Sequence, residues 1–298
     1  MSALLSASCA SRHAAEQSGT REAGPEQIDF ATPFLSEVCS KTDPTEFAAA
    51  WLKFEESRWD VYGAFLYQQQ SDRDERPKLA KELAEEQRER TCELTRRFVS
   101  RGDAAAREMR ACVERITGTA PTAPLYFAPA LQWTDGRADT VKGRDSIFFN
   151  ARHDSFETAA GMSNAFAHEL AHNALEIRFH DAALSPMLKA LYREGSATYV
   201  AELCTPSEKR YVNHDPLHPD RQKVMAVAAK DLLDGLSSKE WAPIGPRFFR
   251  GGMKDPVLPP RMGYTLGYEI FKRNQGVCAP EQFEEVARKQ LAEIAAGK

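Results

Sequence analysis

The sequence predicts an α+β protein that is mainly α-helical, with one small antiparallel sheet set between an N-terminal helical bundle and C-terminal helices. Three observations predict it. Apolar residues recur at helical spacing through most of the chain, three short β-like runs cluster between residues 125 and 150, and Gly/Pro punctuation separates the two regimes. The 298 residues are 42% hydrophobic and 28% charged, the composition of a soluble globular chain long enough to bury its own core. With 39 basic against 43 acidic side chains and a net charge of −4, the chain lacks the electrostatic footprint of a nucleic-acid binder. No stretch approaches the roughly 18 consecutive apolar residues of a spanning helix, so no integral membrane segment is expected.

Residues 1–42 read as a disordered tail or signal remnant: Met1–Phe30 is small and polar, and small residues surround Cys9 without a basic stretch before them. Residues 43–118 read as a helical N-terminal region. Asp43 is placed to N-cap a helix with Pro44 in its first turn, and Phe47, Trp51, Phe54, Val61 and Phe65 give that helix one apolar face. A second helix over Arg76–Arg101 carries Leu79, Leu83, Leu94 and Phe98 beneath a solvated charged face, and Gly102-Asp103 separates it from a third reaching Ile116. Thr117–Pro121 breaks the helical pattern, and Leu125–Ala128, Arg137–Val141 and Ser146–Asn150 follow as strands. Ser155 can cap a long helix reaching Phe179, and Ser185-Pro186 starts another that ends at Cys204. Further helices are expected over residues 219–235, 261–274 and 280–296, with Trp241–Pro260 as loop.

Chemistry concentrates in the helix after Ser155, which contains His168-Glu169-Leu170-Ala171-His172. Positions i and i+4 share one helix face, so both imidazoles can reach one metal ion while Glu169 stands beside them as a base for water. With seven histidines and 43 acidic residues, chance alone yields the pattern in about 2 of 100 such chains. Context must therefore carry it, and Phe166, Leu170 and Ala171 keep the segment apolar, as a helix beneath a cleft requires. Tetrahedral zinc in a catalytic site takes three protein ligands and keeps one open position. The extended metzincin form is excluded, because Leu175 and Arg178 stand where its glycine and third ligand belong. Glu194, in Tyr192-Arg193-Glu194-Gly195-Ser196-Ala197-Thr198-Tyr199 on the next helix, returns to the histidines if that helix runs antiparallel to the first. His180 and Asp181 are rival third ligands.

These residues resemble the gluzincin metallopeptidases, thermolysin-like in core topology, and within them bacterial families whose second motif reads Glu-Gly-x-Ala-x-Tyr, here Glu194, Gly195, Ala197 and Tyr199. The resemblance covers roughly Asp145–Cys204 and implies a zincin-like catalytic domain over residues 119–298. It implies Zn2+ held by His168, His172 and Glu194, with Glu169 as general base, in a metalloprotease acting on a peptide or protein substrate. It also implies an edge strand that pairs with substrate, for which Ser146–Asn150 is the candidate, and a hydroxyl donor beyond the zinc helices, for which Tyr264 is the candidate. The chain departs from the thermolysin pattern at Thr198, where that family has an acidic partner for a histidine ligand; Thr198, Glu176 or Glu202 could substitute.

Two other readings stay open: a helical binding or scaffold protein with a structural or vestigial metal site, and a zinc hydrolase of a non-peptide amide. Loop residues 207–220 hold Tyr211, His214, Asp215 and His218, which read as an ordinary turn or as a second metal site. The six cysteines, at 9, 39, 92, 112, 204 and 278, have no C-x-x-C spacing and fit buried thiols or up to three bridges. Periplasmic or secreted placement is favoured over cytoplasmic.

Overall fold

The computed structural model describes residues 26–132, 134–176, 184–206, 220–241, 244–249 and 258–298. Among them eleven α-helices accompany a four-stranded sheet, a mainly helical α+β architecture. The tail before Glu26, His180, Asp181, the loop with Tyr211, His214, Asp215 and His218, and Arg250-Gly251-Gly252 lie outside the described residues. Among the described residues the chain divides into two units, 26–112 with 120–173, and 113–119 with 174–298.

The first unit opens with β1 (Gln27–Asp29) and α1 (Ala31–Glu37), two elements too short to leave a periodic signal in the sequence. Asp43 then caps α2 (Pro44–Glu56), its carboxylate accepting from the Thr45 and Glu46 amides at 2.9 and 3.0 Å. The single amphipathic helix expected here is two. The Ser57 hydroxyl and the Arg58 guanidinium both donate to the Phe54 carbonyl, at 2.9 and 3.1 Å, and end α2 before α3 (Trp59–Phe65) begins. α4 (Gln70–Glu86) and α5 (Arg88–Thr117) follow, with the break at Gln87 rather than at Gly102. Gly102 is a packing device inside α5, since a Cβ there would stand 2.9 Å from the ring of Phe98. A disulfide joins Cys39 to Cys92, Cα atoms 5.8 Å apart.

The sheet consists of β2 (Leu125–Ala128), β3 (Gly136–Val141) and β4 (Arg144–Asn150) with β1, in the order β1-β2-β4-β3. It is mixed rather than wholly antiparallel: β1 and β4 both run parallel to β2, and only the β3–β4 pair is antiparallel. Lys142 and Gly143, with φ of 51° and 76°, make the two-residue turn between β3 and β4. Side chains alternate across the sheet. Tyr126 and Phe148 meet Phe65 of α3, while Phe127 meets Phe98 of α5 and both Phe127 and Phe149 meet Phe166 of the later helix α6 (Ala159–Glu176). Covered on both faces and paired on both sides, β4 is therefore an interior strand, and the expected edge strand Ser146–Asn150 gives way to β3.

In the second unit Ser185 caps α7 (Pro186–Cys204) by accepting from the Leu188 amide at 3.3 Å, with Pro186 at the first position. α8 (Arg221–Gly235), α10 (Met262–Arg273) and α11 (Pro280–Ala295) follow the expected pattern. The segment expected to be loop also holds α9 (Ile244–Phe249). Leu191 and Tyr192 of α7, Leu266, Ile270 and Phe271 of α10 and Phe283 of α11 belong to one buried cluster. α7 and α10 meet at a glycine pair, because a Cβ on Gly195 would lie 2.5 Å from the Gly267 Cα. Cys278 is a buried thiol. Among the described residues no helix is long and apolar enough to cross a membrane.

Candidate metal centre

The helix that carries the histidines starts later than Ser155. A short 3-10 turn, Asp154–Phe156, precedes α6, and Ser155 there bonds His153 instead of capping the long helix. Apolar packing fixes the helix's rotation. Phe166 lies 4.4 Å from Phe149 and 5.7 Å from Phe127, centroid to centroid, which seats that side of α6 on the sheet. Two residues on, at about 100° per residue, the helix presents a different side, where His168 stands with His172 one turn beyond.

Both imidazoles are buried, 2% and 8% exposed. Their Nε2 atoms are 3.1 Å apart and their rings are perpendicular, with centroids 4.7 Å apart. Two nitrogens bound about 2.0–2.1 Å from one tetrahedral zinc stand about 3.3 Å apart, so the pair fits as two ligands of a single ion. His168 and His172 stand on α6 within the first unit, and Glu194, the third candidate ligand, stands on α7 in the second. Two imidazole nitrogens and a carboxylate oxygen are a donor set that zinc accepts.

Glu169 is 8% exposed, and its side chain lies against the first residue of β3. A Cβ built on Gly136 would stand 2.7 Å from Glu169 Cγ and 3.2 Å from Oε1. Thr198 is buried, and its hydroxyl donates to the Glu194 carbonyl at 2.6 Å, a bond within α7. Glu202 hydrogen-bonds Tyr268, whose pKa burial and that bond together push up. The side chain of Glu176 lies outside the described residues. Tyr264 is half-buried on α10, its ring 6.3 Å from that of Phe249 with the Arg261 guanidinium 5.8 Å over it.

No protein-family model, curated protein or solved structure matches this chain. What the site can do is therefore read from its own side chains. Reading the sequence alone missed Gly136, whose closeness to Glu169 exists only in the tertiary fold. The one signal for Gly136 was a glycine immediately before the β-like run Arg137–Val141, a position where close approach of a neighbour is common.

Proposed function

We propose that the chain is a zinc-dependent metallopeptidase of the gluzincin kind, hydrolysing peptide or protein substrates. The observation that carries this reading is the pair of buried imidazoles on α6 with Nε2 atoms 3.1 Å apart, with Glu169 beside them. His168, His172 and Glu194 would hold the zinc. Zinc bound there supplies Lewis acidity, polarising a carbonyl and acidifying water. The Glu169 carboxylate accepts the proton of the attacking water and returns it to the departing amine, a role that a largely buried carboxylate beside the two histidines suits. Tyr264 is the proposed hydroxyl donor to the developing oxyanion.

The Cys39–Cys92 disulfide favours an oxidising compartment. The test is zinc per chain in protein purified from zinc-replete medium, wild type beside His168→Ala. About one zinc in the wild type and little in the variant is expected, followed by cleavage in a peptide-library screen. A wild type without zinc refutes the reading. A zinc-loaded protein that cleaves amides but no peptide moves it to a non-peptide amidohydrolase.

A further inference from the structure

The β2–β3 connection is held by buried polar groups out of proportion to its length. Asn150, at the end of β4 and fully buried, makes hydrogen bonds to five residues, one of them His153, whose amide donates to the Asn150 carbonyl at 2.9 Å. Its Oδ1 accepts from the Ala130 and Arg152 amides at 3.0 and 3.3 Å, and its Nδ2 donates to the Gln132 carbonyl at 3.0 Å. Its own amide donates to the Asp135 carbonyl at 2.9 Å. The buried Arg152 guanidinium donates to the carbonyls of Ala130 and Leu131, the latter at 2.6 Å. The Leu131 amide donates in turn to the buried Glu55 carboxylate at 3.3 Å. A connection needs no such clamp merely to join two strands.

What the clamp delivers is Gly136. The residue follows Asp135 directly, opens the edge strand β3, and has its Cα where Glu169 leaves no room for a side chain. The near atom is Glu169 Cγ, in the middle of that side chain, so a methyl group at residue 136 forces the carboxyl end to swing to another rotamer. We infer that Gly136 and Asn150 are positioning residues for Glu169: Gly136 is the surface against which the carboxylate is set, and the Asn150 amide fixes where that surface stands. The catalytic consequence rests on the metallopeptidase reading; the placement of the Glu169 side chain does not.

The experiment uses the full chain as Gly136→Ala, Asn150→Ala and Asn150→Asp, with two independent readouts. Crystal structures of the metal-free proteins are expected to show the Glu169 carboxylate displaced in Gly136→Ala and Asn150→Ala. Asn150→Asp keeps the Oδ1 acceptor for Ala130 and Arg152, and is expected to restore the wild-type position in part. Zinc titration and peptide hydrolysis of the zinc-loaded proteins form the second readout. Both Gly136→Ala and Asn150→Ala should retain about one zinc and lose about 10- to 100-fold in kcat, with KM within about twofold. A purely structural role would lower stability without that split between kcat and KM. A Glu169 side chain that superposes on the wild type in Gly136→Ala overturns the inference. If Gly136→Ala does not fold, an unmoved Glu169 in Asn150→Ala overturns it instead. Absence of zinc binding or peptide cleavage by the wild type refutes the metallopeptidase reading, and the crystallographic comparison still decides the positioning role.

Discussion

Replacing Gly195 by Ala sets two elementary effects against each other, and the structure states which one wins. Alanine is the better helix former by about 1 kcal/mol, so a free helix would gain from the change. In α7 the new Cβ would lie 2.5 Å from the Gly267 Cα and 2.6 Å from its carbonyl carbon. Carbon atoms rest at about 3.5–4.0 Å, so α7 and α10 must part by about 1 Å, and backbone cannot turn aside as a side chain can. Parting them loosens Leu191, Tyr192, Leu266 and Ile270, all packed in one core. Overpacking of this kind costs about 1–3 kcal/mol, and contact with backbone places it at the upper end; after the propensity gain, a net loss of about 2 kcal/mol is expected. Gly267→Ala should behave alike, its Cβ meeting the Gly195 Cα at 2.5 Å and the Leu191 carbonyl oxygen at 2.7 Å. The double variant should cost less than the sum, because the helices part only once. Urea unfolding followed by far-ultraviolet circular dichroism measures all three variants, with the midpoint expected to fall at unchanged slope. A Gly195→Ala protein as stable as the wild type, or more stable, refutes the close-crossing argument.

Glu169→Gln should keep its zinc and lose about 10²- to 10⁴-fold in peptide turnover; unchanged turnover in a zinc-loaded variant would remove Glu169 as the base. Removing the Cys39–Cys92 bridge by replacing both residues with Ala should cost about 4 kcal/mol, from the chain entropy of a 53-residue separation, read by guanidinium unfolding; a loss below about 1 kcal/mol would contradict that account. Burial pushes the Glu55 carboxyl up from 4.5 to about 7, against the opposing pull of Arg76. A folded-state pKa raised in this way contributes stability that is fully present below the unfolded value and is lost as pH rises through the folded one. The wild type should thus lose about 3 kcal/mol relative to Glu55→Gln between about pH 4.5 and pH 8. A wild-type-minus-variant difference that stays flat from about pH 5 to pH 8 would contradict it.

The helices were legible where caps and periodicity agreed. Asp43-Pro44 and Ser185-Pro186 state a helix start in local chemistry, and the structure places α2 and α7 there. Where a single residue had to be read without its tertiary neighbour, the outcome differed. Gly102 has the sequence appearance of a stop signal, yet it sits inside α5 because the Phe98 ring occupies the place of a side chain. Strand composition identified β2, β3 and β4 but not their order, since pairing partners are long-range facts. The apolar run Ile147-Phe148-Phe149 satisfies the pattern of an edge strand's inner face as well as that of an interior strand.

The same division governs the candidate site, and it follows from how far apart in the chain the cooperating groups lie. His168, Glu169 and His172 fall within one helical turn or so, and the 3.6-residue repeat alone brings the two imidazoles together. Gly136 and Asn150 belong to different strands from each other and to neither of the helices with metal-ligand candidates. Their bearing on Glu169 exists only once β3 pairs with β4 and α6 is seated on the sheet by Phe166. A glutamate held by its own helix alone retains the rotamer freedom of an exposed side chain. A glutamate also pressed against a glycine, as Glu169 is against Gly136, loses it. That restraint is the part of the site the motif cannot encode, because it resides in the space an absent side chain leaves.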